Sequence, residues 1–159
     1  MNAKLRRLFL GTVLILTSGG GQVALAAGAG SASSSGGEDA ALREARTLID
    51  RERFEEALAA LEDVVARDAG NADAWNLIGY SHRKAGSYGP AMDAYAKALA
   101  IDPRHTEAIE YLGELHLALD DLAEAERQLA RLGEICRSGC DEYDELEEAI
   151  ASYRAAKGG

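Results

Sequence analysis

Proline and cysteine are scarce in this 159-residue chain, which has two of each and a single tryptophan. So few prolines, with only eight Phe and Tyr residues together, argue against a β-sandwich or barrel rich in turns. Basic charge is also short: 17 Lys and Arg stand against 27 Asp and Glu, a net charge of −10. A phosphate backbone is held through surplus Lys and Arg, so nucleic acid is not an expected partner. No Ser/His/Asp set, no phosphate-cradling glycine loop ahead of a helix and no His-Glu-x-x-His motif is recognisable. The carboxylates are many but spread over helix faces, as on a solvated surface. The sequence therefore predicts a non-enzymatic protein with no cofactor, no metal and no catalytic residue. What it does hold is Ala, Leu, Glu and Arg, a helix-forming mixture, with 47% hydrophobic residues that suit one globular core.

The N-terminal region reads as an export signal. Lys4, Arg6 and Arg7 precede an apolar core from Leu8 to Leu16, and Ala24-Leu25-Ala26 supplies a small-x-small cleavage site. That core is too short for a membrane-spanning helix of about 20 residues, so no stable span is expected after cleavage near Ala26. Arg6-Arg7-Leu8-Phe9-Leu10 resembles the twin-arginine export motif, without the Ser or Thr usually found before the pair. The general secretion route fits equally short signals with paired arginines. Either route leads out of the cytoplasm, most simply into a periplasm. The signal contains three bases and no acid, so the mature chain keeps 14 bases against 27 acids, a net charge of −13. Residues 27–37 follow as a run of Gly, Ser and Ala that cannot bury enough surface to fold. They form a linker, and the folded part is expected to start near Glu38.

From there the chain is self-similar every 34 residues. Ala45, Gly79 and Gly113 share one register; Phe54, Tyr88 and Leu122 the next; then Ala57, Ala91 and Ala125; Leu61, Tyr95 and Leu129; Val64, Ala98 and Leu132. A period of this size means stacked supersecondary units, none of which buries its apolar face alone. The small residues at the first register are expected to let the two helices of one unit approach closely. The middle copy carries Trp75-x2-Ile78-Gly79-x2-His82, then Ala91-x3-Tyr95, then Asp102-Pro103. This pattern resembles the tetratricopeptide repeat. The copies are 38–71, 72–105 and 106–139; the first has Glu44 in place of an apolar residue, and the third has Arg137 where the closing proline would be. The expected fold is all-α: a solenoid of three helix pairs (39–51 with 54–67, 72–85 with 88–101, 106–118 with 122–135) plus a capping helix over 141–155. Tyr143, Leu146, Ile150 and Tyr153 form the cap's apolar stripe, within a C-terminal segment spanning 140–159.

The resemblance implies a binding scaffold, in which the first helices of successive repeats line a concave groove for an extended peptide or a partner's helix. The groove positions are then Leu42, Arg46 and Ile49; Asn76, Tyr80, Arg83 and Lys84; and Glu107, Glu110, Glu114 and Leu117. This suggests a groove with a basic middle and an acidic far end, with Asn76, Tyr80 and Arg83 contacting the partner. Some members hold C-terminal carboxylates through a clamp of Lys and Asn. The clamp positions here are Leu42, Arg46, Leu77, Glu107 and Tyr111, so that mode is not expected. The partner is a protein or peptide, bound by a chain expected to be monomeric.

Cys136 and Cys140 flank Arg137-Ser138-Gly139 between the last repeat and the cap. In an exported protein a disulfide is the simplest outcome. The alternative is a copper- or redox-linked protein using the Cys136-x3-Cys140 pair, since thiolates suit Cu(I). His82 and His116, at a register where the family usually has Tyr, are read as helix-contact residues with local hydrogen bonds rather than ligands. Equivalent positions in neighbouring repeats lie about 10 Å apart, too far to share a metal.

Overall fold

The computed structural model describes residues 40–137 and 139–158. The expected signal peptide and linker, residues 1–37, lie outside the described residues. Among the described residues the chain forms seven helices and no strand: α1 (Ala40–Asp50), α2 (Phe54–Arg67), α3 (Ala72–Lys84), α4 (Tyr88–Ile101), α5 (Thr106–Ala118), α6 (Leu122–Ile135) and α7 (Asp141–Lys157). Each lies within two residues of the range expected from the repeat.

Local chemistry sets these boundaries. The Asn71 side chain accepts from the Ala74 N–H at 2.9 Å and Asp121 from that of Glu124 at 3.1 Å, capping α3 and α6. Within each pair the turn repeats one geometry. Glu52, Gly86 and Asp120, at the same register, all have positive φ (58°, 75° and 61°). In each turn that residue's N–H reaches back three residues, and the next N–H reaches back five, to Leu48, His82 and His116. This double closure of a helix C-terminus requires a left-handed residue, which glycine adopts without strain. Only the middle turn uses glycine.

The core runs along the stack as three successive apolar clusters rather than one ball. Ala57, Ala91 and Ala125 are wholly buried, each letting its second helix sit against its neighbours. A Cβ on Gly79 would stand 2.5 Å from the Tyr95 ring of α4, so the small residue there does bring together the two helices of one repeat. Gly113 departs from that expectation. A Cβ on it would meet Leu146 of α7 at 2.6 Å, so the space it opens is filled by the cap.

The cap is placed as the first helix of a fourth pair. It runs alongside α5 in the same direction: Thr106 Oγ1 donates to Glu142 at 2.8 Å, Leu146 covers Gly113, and Tyr153 OH donates to Asp120 at 3.1 Å. Leu146 and Ile150 are buried, with Tyr143 and Tyr153 packed on the same cluster. Cys136 and Cys140 are disulfide-bonded across the α6–α7 turn, and Gly139 (φ 94°) makes the reversal there. None of the helices is long and apolar enough to cross a membrane among the described residues.

Candidate partner-binding face

The odd-numbered helices α1, α3, α5 and α7 form one layer, and the groove residues expected from the sequence lie on it. Their arrangement differs from the expectation. Asn76, Tyr80 and Arg83 occupy i, i+4 and i+7 on α3, and Glu107, Tyr111 and Glu114 occupy the same spacing on α5. They meet rung by rung. Asn76 Nδ2 donates to Glu107 Oε2 at 3.0 Å, the Tyr80 and Tyr111 rings tilt together with centroids 5.0 Å apart, and Arg83 Nη2 pairs with Glu114 Oε2 at 2.6 Å. The Arg83 guanidinium also lies 5.3 Å from both ring centroids, within range of cation–π attraction. Burial works against its charge, but Tyr95 and Glu114 outweigh that and hold it ionised.

This ladder revises the picture of an electrically divided groove. The basic middle and part of the acidic end neutralise one another between helices. Asn76 is wholly buried and spent within the fold, so it offers no surface to a partner. Arg83 is largely covered and ion-paired. Leu42, Leu117 and Glu110 are likewise buried, the last at 3% exposure. The reason is geometric. Side-by-side parallel helices touch through opposite flanks, so facing residues differ from the repeat register by about one step around the helix. The rungs are accordingly 31 residues apart, where the repeat is 34.

What stays open is a cavity of about 250 Å³ lined by Arg46, Ile49, Asp50, Leu77, Tyr80 and Tyr111. Its floor is apolar and aromatic, with a guanidinium and a carboxylate at the rim. Lys84 is exposed beside it, its ammonium 5.5 Å from the Tyr80 ring centroid. That volume takes a side chain or two of a peptide rather than a large ligand.

The far end is acidic. Glu110 faces Glu114 on its own helix and Glu142 and Glu145 on α7, and burial together with those neighbours pushes its carboxyl up to about 9. A carboxyl so placed holds its proton at neutral pH.

His105 joins two repeats. Its Nδ1 accepts from the Ala108 N–H at 3.3 Å, capping α5, which leaves Nε2 to donate to Asp73 Oδ1 at 3.0 Å. Only its position directly before Thr106 could have signalled this. His82 lines a separate cavity beside Trp75 and Lys97. His116 has Nδ1 3.8 Å from Asp121 Oδ2, beyond hydrogen-bond reach. The disulfide removes both cysteine sulfurs from thiolate chemistry, which leaves the copper alternative without its ligands in this state.

Among the described residues, seven helices in two layers, with α3 and α5 cross-linked at a constant offset of 31, define an α-helical repeat solenoid. Two tetratricopeptide repeat profiles match, over residues 42–106 and 82–150. The chain belongs to the tetratricopeptide repeat family. Its fold is similar to the first repeat domain of human RPAP3 (TM-score 0.65, 19% identity, covering 74% of this chain and 92% of that one). It is also similar to the first repeat domain of Spaghetti (RPAP3) bound to an HSP90 peptide (TM-score 0.63, 18% identity, 72% and 90% covered). MamA of Desulfovibrio magneticus RS-1 is similar at 26% identity (TM-score 0.58, 62% and 55% covered). Comparison with curated proteins gives no match.

Proposed function

We propose that this protein is a non-enzymatic interaction scaffold that works outside the cytoplasm, most simply in a periplasm, and holds a peptide or partner helix on the face of its odd-numbered helices. The observation that carries this is the cavity between α1, α3 and α5, where Ile49, Leu77, Tyr80 and Tyr111 supply apolar floor and Arg46 and Asp50 supply polar rim. A concave apolar site edged by a few polar groups is the usual form of a recognition pocket. The structurally similar RPAP3 domain is bound to an HSP90 peptide. The residues that would make a carboxylate clamp are absent here, with Leu42, Leu77 and Tyr111 among the substitutes, so the partner is of another kind than a chaperone tail. Arg46, Tyr80 and Lys84 are the residues assigned to contact it, with Glu114 and Arg83 holding Tyr80 and Tyr111 in place.

The test is capture from the source envelope with the tagged full chain as bait. Tyr80→Ala and Lys84→Glu should each weaken recovery of the partner seen with the parent; equal recovery by both variants would place the contact elsewhere. Export has its own test: N-terminal sequencing of the mature protein should begin at Ala27, and a first residue of Met1 would mean the signal is retained. A thiol count on exported material should find no free cysteine.

A further inference from the structure

A second cavity opens in the other layer, between α2 and α4, with a volume of about 320 Å³ and a floor of Val65, Trp75, Ile78 and Ala94. The repeat explains why there is room. Val65 and Ala94 stand at the registers of Leu99 and Gln128, each 34 residues further on. In the following repeat those longer side chains are packed in: Leu99 lies against the core, and Gln128 is 8% exposed with its Nε2 donating to Glu124 at 3.0 Å. Between α2 and α4 the chain supplies a valine and an alanine instead, and the groove stays open.

Trp75 is fixed in this groove. Its Nε1 donates to Ala69 O at 3.0 Å, so the indole N–H is used and the ring is what remains for a ligand. The Lys97 ammonium lies 4.1 Å from the ring centroid, a cation–π contact. That engagement leaves the neighbouring carboxylates alone. Asp93 is four residues before Lys97 on α4, a spacing at which an ion pair can form. Among the described residues neither Asp93 nor Glu62, across the groove on α2, has an ion pair. An apolar and aromatic floor is thus flanked on both helices by an exposed, unpaired carboxylate.

We infer that this outer groove is a second docking site, and that its occupant is a partner helix with leucine-sized side chains for the floor and Lys or Arg beside them for Glu62 and Asp93. Two observations select that occupant. The following repeat shows what the fold places at these registers, side chains of the length of leucine and glutamine. The charge follows from the two carboxylates, in a chain with 27 acids and 17 bases, because such a surface draws a basic segment and repels an acidic one. A second copy of the chain would bring the same acidic excess, which disfavours it as the occupant. The site lies on the layer opposite the cavity between α1, α3 and α5, and neither depends on the other.

Trp75 is the chain's single tryptophan, so its fluorescence reports on this groove. The probes are three acetylated, alanine-rich helical peptide amides without aromatic residues. The first carries two leucines one turn apart with arginines beside them, the anchor pattern of a helix laid in a groove. The second has alanine for the leucines, and the third has glutamate for the arginines. Titrated into the full chain, the first should shift Trp75 emission saturably and bind about tenfold or more tighter than either of the others. Ala94→Gln places in the groove the side chain that the next repeat carries at that register, and should remove this binding. Glu62→Lys, at an exposed position, should weaken it about tenfold. Tyr80→Ala, on the other layer, should leave it unchanged. No saturable change in Trp75 emission, equal affinity for the arginine peptide and either control, or full binding by a folded Ala94→Gln would each overturn the assignment. Full binding by Glu62→Lys would do the same even where Ala94→Gln fails to fold. If the arginine peptide binds with Trp75 silent and Tyr80→Ala abolishes it, the scaffold reading stands and the outer groove falls.

Discussion

Arg83 of α3 and Glu114 of α5 form an ion pair of 2.6 Å between equivalent helices of adjacent repeats, with side chains 13% and 31% exposed. The pair is the outermost rung of a ladder whose other rungs are an amide–carboxylate bond and an aromatic contact. It ties the middle repeat to the last across the face proposed to bind a partner.

Removing one member should therefore cost more than at a surface pair. Arg83→Ala leaves Glu114 beside Glu110 with no cation, and should destabilise by about 2–3 kcal/mol. Glu114→Gln should cost less, and the double-mutant cycle should return a coupling of about 1–2 kcal/mol in urea unfolding. A coupling near zero would mean the rung is incidental.

Two helical glycines should respond oppositely to alanine. At Gly79 a Cβ meets the buried Tyr95 ring at 2.5–2.9 Å, and overpacking of this sort costs about 1–3 kcal/mol, more than the roughly 1 kcal/mol gained in helix propensity. At Gly133 of α6 the nearest atom to a Cβ is Tyr143 Cε2 at 3.4 Å, an ordinary contact. Gly133→Ala should stabilise by about 0.5–1 kcal/mol. Thermal unfolding of the two variants checks both signs.

The three intra-repeat turns place Glu52, Gly86 and Asp120 at positive φ. Asp120 is also bonded to Tyr153 and Lys157, whereas Glu52 is exposed. Glu52→Gly should thus relieve left-handed strain cleanly and raise stability by about 1 kcal/mol, read as an increase in Tm. A lower Tm would show that the Glu52 side chain contributes to the first turn.

Stability should fall with pH because of Glu110. Its carboxyl is raised from an ordinary 4.5 to about 9 by burial and by Glu114, Glu145 and Glu142. Between those values the folded state holds a proton that the unfolded chain has lost. Stability from this group is full below the unfolded value and is lost as pH climbs through the window. Glu110→Gln keeps the shape and removes the titration. The variant should be more stable than the parent by about 1–3 kcal/mol at pH 8, a Tm rise of several degrees, with the difference vanishing towards pH 4. A pH-independent difference would contradict this cause.

The disulfide closes a very short loop, so Cys136→Ser with Cys140→Ser should cost only about 2 kcal/mol. The effect should be local. Contacts in a repeat stack are between neighbours, so hydrogen exchange should quicken in α7 while α1 to α4 stay protected. Uniform acceleration along the chain would argue against a local role.

Sequence alone determined the helices, their pairing and the cap. A 34-residue period with alanine at 57, 91 and 125 admits few structures, because each copy must bury the same stripe against the next. It also marked which positions line the odd-numbered helices. Only the tertiary structure decided which of them are free. Periodicity identifies residues that share a face, but contact between parallel helices runs flank to flank. So Asn76, Arg83 and Glu114 were legible as groove positions while their pairing at an offset of 31 was not. The same holds for Gly113, whose neighbour Leu146 comes from a helix outside the repeat, and for His105, whose role depends on Asp73 one repeat away. Register is local and can be read along the chain; charge compensation between repeats depends on distances that only the packed stack sets.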